Sequence, residues 1–330
     1  MNSYKCHKEK KPPYSEGKPN FQGWYFKHQC SSDTIVFIVG RNVGENGAGS
    51  AFIQVITEYK SYNVNFPISD FHFMKKGFGV IVGKNFFTSK GMYVDIDSGG
   101  LILKGKVYYG QLTPLSYPIM GPFQYLPKME CQHEIISLHH RIHGFLRLNG
   151  KDIDFENGVG YIEADAGCSF PKSYMWMQCN DFRYAKCGCS EHTSRLTHKE
   201  IVAEEIDKKL VKPPKACIMA SMAQIQYLKM NFKGVICVVY FKEKQYRLAT
   251  YLGVKLEFFS DNCVVLKQGK YKLVIKLCDS KGQKLLAPKN GNMSRLIEES
   301  LLGKGKFWFY EGEKLIFALE SDRCSYERVK

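Results

Sequence analysis

The stretch Gly160-Tyr-Ile-Glu-Ala-Asp-Ala-Gly-Cys-Ser-Phe-Pro-Lys-Ser-Tyr-Met-Trp-Met-Gln-Cys-Asn180 holds two strand-like runs, Val159–Glu163 and Ser173–Asn180. Successive side chains of a strand point to opposite faces. If the first run continues as a strand, Tyr161, Glu163 and Asp165 therefore share a face. The second run carries Trp176, and Ala216–Ile225 follows it after a longer insertion.

Working toward the N-terminus, strands are predicted from Phe21–Phe26 and at Thr34–Val39, Ser50–Thr57, Gly79–Val82, Met92–Ile96, Leu101–Tyr109, Glu134–His143, Phe145–Leu148 and Ile153–Phe155. Glu45-Asn-Gly-Ala-Gly, Asp97-Ser-Gly-Gly and Asn149-Gly-Lys-Asp supply the turns of a meander. Toward the C-terminus a second series runs from Gly234–Phe241 through Lys270–Cys278 to Leu315–Leu319, again separated by Gly- and Asn-containing turns. Strands this short and numerous suit closed or sandwiched antiparallel sheets, which escape the exposed-edge problem. The fold class is all-β. Trp24-Tyr-Phe-Lys followed by Thr34–Val39 is echoed by Trp176-Met-Gln-Cys followed by Cys217–Ala223. With a boundary near residue 155 the echo gives two halves, 21–155 and 156–330, behind a tail at 1–20. His198–Leu210, ended by Pro213-Pro214, is the one segment that invites a helix.

The 330 residues include 22 Phe, 20 Tyr and 29 Gly, a balance that favours sheet over bundle. The net charge of +15 attracts anions and is compatible with peripheral contact with an acidic membrane surface. The lysines are scattered between apolar runs as on a solvated face, so no specific nucleic-acid partner is predicted. No apolar stretch reaches the length of a spanning helix, and the basic start lacks the apolar core of a signal peptide. Twelve cysteines, several within apolar runs such as those around Cys217, Cys237 and Cys278, point to reduced, buried thiols and a cytoplasmic setting.

The histidine-rich run Cys131–His143 invites a metal reading. Period two places His133, Ser137, His139, Arg141 and His143 on one face and Ile136, Leu138, His140 and Ile142 on the other. At about 3.3 Å per residue, His139 and His143 lie ~13 Å apart and cannot share one ion. No metal is predicted, and His140 is expected inside a barrel. Cys187-Gly-Cys189 lacks the spacing of a zinc or redox pair. Gly44-Glu-Asn-Gly-Ala-Gly49 precedes a strand, not a helix, and reads as a hairpin turn, not a phosphate loop. The carboxylates remain. An acid lining an apolar pocket has its pKa raised and can hold a proton for donation.

The Gly160–Asn180 stretch resembles the signature of the tocopherol cyclase-like family. Gly23-Trp-Tyr-Phe26, Pro127-Lys-Met-Glu-Cys131 leading into Ile136-Ser-Leu-His-His140, and Ala287-Pro-Lys-Asn-Gly-Asn-Met-Ser-Arg295 followed by Glu299-Ser300 agree in the same order. The resemblance implies two lipocalin-like antiparallel β-barrels related by a pseudo-twofold. It also implies a hydrophobic small molecule as partner, an isoprenoid or lipid, and a cyclase or isomerase reaction without a cofactor. An acid would protonate a prenyl double bond, and a phenolic oxygen would close on the cation. Noncatalytic carriage of an apolar ligand is the alternative. On this resemblance Asp165, then Glu130, with Glu163, are the candidate catalytic acids. Trp24, Tyr25, His133, His140, Tyr161, Trp176, Gln178 and Asn180 are the candidate substrate-binding residues. Ala166 departs from the family, which commonly has a Trp before the motif glycine.

Overall fold

The computed structural model describes residues 18–127, 129–185, 215–227, 230–278 and 281–330. The predicted helix at His198–Leu210, the Cys187/Cys189 pair and residues 1–17 lie outside them. The first sheet contains β1 (Asn20–Gln29), β2 (Thr34–Val43), β3 (Gly49–Thr57), β4 (Ser61–Pro67), β5 (Phe71–Phe73), β6 (Gly79–Val82), β7 (Asn85–Thr88), β8 (Gly91–Ser98), β9 (Leu101–Tyr109), β10 (Cys131–Leu148), β11 (Lys151–Asp154) and β12 (Gly158–Gly167). The second contains β13 (Tyr174–Cys179), β14 (Arg183–Tyr184), β15 (Ala216–Tyr227), β16 (Met230–Phe241), β17 (Lys244–Ala249), β18 (Lys255–Phe259), β19 (Cys263–Gln268), β20 (Tyr271–Cys278), β21 (Gln283–Lys289), β22 (Asn292–Glu311) and β23 (Lys314–Val329).

The first sheet runs β4-β3-β2-β1-β12-β10-β9-β8-β7-β6-β5 and the second β17-β16-β15-β13-β23-β22-β20-β19-β18. In each case the two end strands are consecutive in the chain. Only the short turn Ile68–Asp70 joins β4 to β5, and Thr250–Leu252 joins β17 to β18. Each sheet must therefore curl until its edges approach, which yields two lipocalin-like antiparallel barrels related by a pseudo-twofold. The strand orders superpose, with β1 matching β13 and β12 matching β23.

The division between the barrels differs from the boundary at 155. β12 pairs with β1 from Phe21↔Gly167 to Gln29↔Val159 and with β10 on its other side. It closes the first barrel, and the chain crosses to the second between Gly167 and Tyr174. Hydrophobic periodicity reads a strand but not its neighbours, so it could not assign β12. The predicted runs Glu134–His143 and Phe145–Leu148 are one strand, β10. Among the turns, Asn149 and Gly150 have φ of 48° and 84°, the pair of positive values that a tight type I′ hairpin requires. Gly44–Gly49 forms the predicted hairpin connection.

Each barrel has its own apolar core. Phe26, Phe37, Phe87 and Leu103 fill the first, and Met177, Ile218, Val239 and Phe309 fill the second. A third buried cluster, including Tyr25, Tyr161, Tyr174, Trp176 and Met219, draws on both sheets and forms the seam. The Gln54 side chain clamps the seam by donating to Leu286 O (2.8 Å) and accepting from Leu286 N (2.8 Å). Asn42 Nδ2 donates to Gly291 O at 2.9 Å. Gly291 sits so close to the Val43 carbonyl that a β-carbon would collide with it. Cys217 and Cys237 are buried as expected, whereas Cys278, at the end of β20, is exposed. No helix among the described residues is long and apolar enough to cross a membrane.

Candidate active site

A cavity of about 160 Å³ opens in the seam. Phe21, Trp24, Tyr25, His133, Glu163 and Asp165 face it from the first barrel, and Tyr174, Trp176, Ile225, Phe232, Leu285 and Glu327 from the second. Its size is close to that of the ~150 Å³ cavities that accept a benzene-sized group. The space is mainly aromatic and aliphatic, with a few ionisable groups converging on it.

Strand register explains that convergence. His133 on β10 lies opposite Asp165 on β12, and Tyr25 on β1 lies opposite Glu163. The His133 ring consequently spans two carboxylates, with Nδ1 2.9 Å from Asp165 Oδ1 and Nε2 3.4 Å from Glu163 Oε2. Tyr161, two residues from Glu163 on the same face, donates its hydroxyl to Oε2 at 2.5 Å. Cys131 Sγ donates to Asp165 Oδ1 at 3.5 Å. The result is a line, Asp165–His133–Glu163–Tyr161, ending in a buried phenol; its middle link is an ion-pair contact, since His133 Nε2 makes no hydrogen bond among the described residues.

Burial alone would make His133 harder to protonate, but Asp165 and Glu163 outweigh it and lift its pKa to about 9. Burial drives Glu163 up to about 7; Asp165 adds to that rise, while His133 and the Tyr161 hydroxyl oppose it. Glu163 is thus poised to exchange a proton near neutrality. Burial, reinforced by Glu163, holds the Tyr161 phenol well above its ordinary value.

His133, Glu163 and Asp165 also bring ligand-type atoms within 4.8 Å of one another, a set that a cation could use. His133 Nδ1 is taken up by Asp165, whereas Nε2 faces Glu163 without a hydrogen bond.

The other sequence candidates fall into two groups. Trp24, Tyr25 and Trp176 line the cavity, and Tyr161 reaches it through Glu163. Trp176 Nε1 is buried without a hydrogen-bond partner among the described residues, which leaves a donor in the wall. Glu130, His140, Gln178 and Asn180 do not line the cavity. Glu130 is half-buried beside it, its carbonyl accepting from Cys168 N and Ser169 N, and its pKa is raised by burial against the pull of Lys172. His140 is inside the first barrel as expected, but it packs on Tyr109 (4.8 Å between rings) and its Nδ1 lies 3.0 Å from Ser137 Oγ. Register shifts between Ile135 and Ser137, and between Ser137 and His140, break the expected two-face alternation of the histidine run. His139 is buried in consequence. Gln178 Oε1 accepts from Lys27 Nζ (2.9 Å), and Asn180 Nδ2 donates to Gly160 O (3.0 Å), so both brace the seam. Ala166 is not part of the cavity wall.

Three buried ionisable groups were given no role from sequence, although Lys27 and Glu299 lie in quoted motifs. Lys27, placed by composition on a solvated surface, is fully buried, and burial pulls its pKa down. Glu299 Oε1 accepts from Tyr25 OH at 2.5 Å, with Ser325 Oγ 3.0 Å from the same hydroxyl. Glu327 Oε2 accepts from Tyr174 OH at 2.8 Å. Burial lifts both glutamates to about 8, with Glu327 adding to the rise at Glu299. A carboxylate flanked by apolar strand residues, as in Arg295-Leu-Ile-Glu-Glu-Ser-Leu301, was the available signal.

Comparison with known proteins agrees with this architecture. Residues 103–193 match the tocopherol cyclase-like family. The family stretch contains Cys131, His133, Glu163, Asp165, Tyr174 and Trp176, which is the core of the seam site. The chain is similar in fold to CghA, with 8% identity over 94% of this chain and 88% of that one and a TM-score of 0.54. A second structure, CghA with Sch210972, gives a TM-score of 0.52 at the same identity and coverage. A putative AttH from Nitrosomonas europaea covers 95% of this chain and 93% of its own at 10% identity, with a TM-score of 0.49. No curated protein matches the chain in sequence.

Proposed function

We propose that the protein is a cofactor-independent cyclase or isomerase that acts by proton transfer on a prenyl double bond of an isoprenoid or quinol-like molecule whose reacting end is held in the seam cavity. The observation that carries this reading is the Asp165–His133–Glu163–Tyr161 line, whose carboxylates and imidazole open onto an otherwise apolar, aromatic chamber. Ring closure of a prenylated phenol needs one proton added at carbon and one removed from oxygen, with no net redox change. A glutamate titrating near 7 beside a cationic histidine can take part in either transfer. Aromatic faces such as Trp24 and Trp176 stabilise a developing carbocation through their π-electrons, and the apolar walls keep water from quenching it. The unpartnered Trp176 Nε1 offers a donor for a ligand oxygen.

The test is incubation of the protein with a prenylated hydroquinone in D₂O, with product analysis by mass spectrometry. A cyclised product carrying one carbon-bound deuterium is expected. Glu163→Gln should abolish its formation while binding, read by Trp fluorescence, persists. The predominantly apolar wall also favours a second reading, retention of an oily ligand without turnover. That reading predicts tight binding of the same probe by wild type and by Glu163→Gln, and no product from either.

A further inference from the structure

We infer that Glu327 is a second catalytic acid of this cavity, delivering the proton to the double bond while the Glu163–His133 pair receives the one released from oxygen. The inference rests on the proton-transfer reading above and divides its two steps between the barrels. Glu327 lines the same cavity as Glu163 but reaches it from β23. In the matched strand orders β23 takes the place of β12. The register repeats as well, since Tyr25 stands opposite Glu163 and Trp176 opposite Glu327. Tyr25 and Trp176 meet edge to face across the seam with ring centres 5.3 Å apart, which brings the two acid–aromatic pairs to one place. Each glutamate also accepts a buried tyrosine hydroxyl, Glu163 from Tyr161 and Glu327 from Tyr174.

The environments then diverge, and the divergence assigns the roles. Glu163 faces His133, a cation when protonated, which favours its carboxylate form. Among the described residues Glu327 has no cation partner. Burial is the main force that keeps its proton on, the Glu163 and Asp165 charges add to it, and the Tyr174 hydroxyl opposes it. The carboxyl directly opposite on β22 is that of Glu299, itself buried and raised by Glu327. Two carboxyl groups whose surroundings push them apart are the usual basis of an acid–base division of labour. In the proposed sequence the Glu327 O–H bond breaks and a C–H bond forms at the alkene, leaving a tertiary cation. The phenolic oxygen adds its lone pair to that cation, forming the C–O bond. Its proton passes to Glu163. Exchange with water returns Glu327 to the acid and Glu163 to the carboxylate. Substrate and product are isomers, so no oxidant or reductant enters.

The experiment compares wild type, Glu163→Gln, Glu327→Gln and Glu327→Asp in the D₂O assay with a prenylated hydroquinone. Probe binding and the pH dependence of single turnovers are followed in parallel. Glu327→Gln should bind the probe yet convert it at least ~100-fold more slowly, the usual scale of general acid catalysis. Glu327→Asp, which keeps an acid, should recover part of the rate, and serves if the Gln variant does not fold. Wild type should lose activity as pH rises through about 8. Conversion by Glu327→Gln within threefold of wild type, with the alkaline limb intact, would overturn the inference and leave the Glu163 reading standing. Equal conversion by wild type and Glu163→Gln, or none by wild type, would remove both.

Discussion

Glu299 offers a measurement that does not depend on knowing the substrate. Its carboxyl is buried and hydrogen-bonded to Tyr25, and its pKa rises from 4.5 to about 8, with burial the main cause and Glu327 the second. The folded protein therefore keeps a proton that the unfolded chain releases. A group with a raised folded pKa contributes its full stability below the unfolded value and loses it as pH rises through the folded one. Between roughly pH 5 and 8 one extra bound proton makes stability fall by about 1.4 kcal/mol per pH unit, or on the order of 4 kcal/mol across the window. Glu299→Gln has nearly the shape of the neutral acid, keeps an oxygen to accept from Tyr25, and cannot titrate. Urea denaturation at pH 5.5, 6.5 and 7.5 should show a slope shallower than wild type by about 1.4 kcal/mol per pH unit, with the variant gaining on wild type as pH rises. Parallel stability–pH lines for the two proteins would refute the claim that this buried acid is protonated in the fold.

Three further outcomes test the surroundings. Tyr161→Phe removes the hydroxyl that favours ionised Glu163, so the Glu163 titration, followed by carbon-detected NMR, should move above about 7; stability should drop by about 1–3 kcal/mol, and an unchanged or lowered titration contradicts the pairing. Gly167→Ala sets a β-carbon against the Glu130 carbonyl and Cys131 Cα where β10 and β12 meet. Because backbone blocks it, chemical denaturation should show a loss of about 1–3 kcal/mol, and a variant as stable as wild type refutes the close approach. Lys27→Met replaces a buried ammonium with an apolar chain of similar length and should be clearly more stable in urea than Lys27→Ala, which leaves a cavity; equal losses would mean that the charge itself is required.

The barrels were legible in the sequence because strand signals are local. Alternation, Val- and aromatic-rich runs and Asn-Gly turns mark β1, β2, β3 and β9 within a few residues of their bounds. Pairing is not local. Val159–Glu163 reads equally well as the start of the second barrel and as the closing strand of the first, and only hydrogen bonds to β1 and β10 decide. The site divides in the same way. Glu163 and Asp165 share a face by period two, and Trp24, Tyr25, His133 and Trp176 sit in recognisable motifs, so these were found. The two bulges in β10 escaped the sequence reading: one extra residue reverses the facing of those beyond it and a second restores it, so His140 kept its expected inward place while His139, expected on the opposite face, became buried. Glu299, Glu327 and Lys27 escaped because composition treats charged residues as solvated, and nothing local announces that a second sheet will cover them.

That second sheet is what gives the acids their character. Tyr25 leaves the first barrel to bond Glu299 of the second, Lys27 reaches across to Gln178, and Trp176 covers Tyr25. A single barrel with its seam face open would hydrate these groups, and the desolvation that lifts Glu163, Glu299 and Glu327 would vanish with it. The raised proton affinities thus belong to the pair of barrels and not to either half. They also set stability against alkalinity, since every proton held more tightly by the fold than by the unfolded chain makes the fold weaker as pH rises. A chain selected only for stability would place apolar residues at these positions, where buried charge is at best neutral. Glu163, Glu327 and His133 face the apolar chamber, and Glu299 stands behind Tyr25, so the proposed proton transfer accounts for acids that stability alone would not retain.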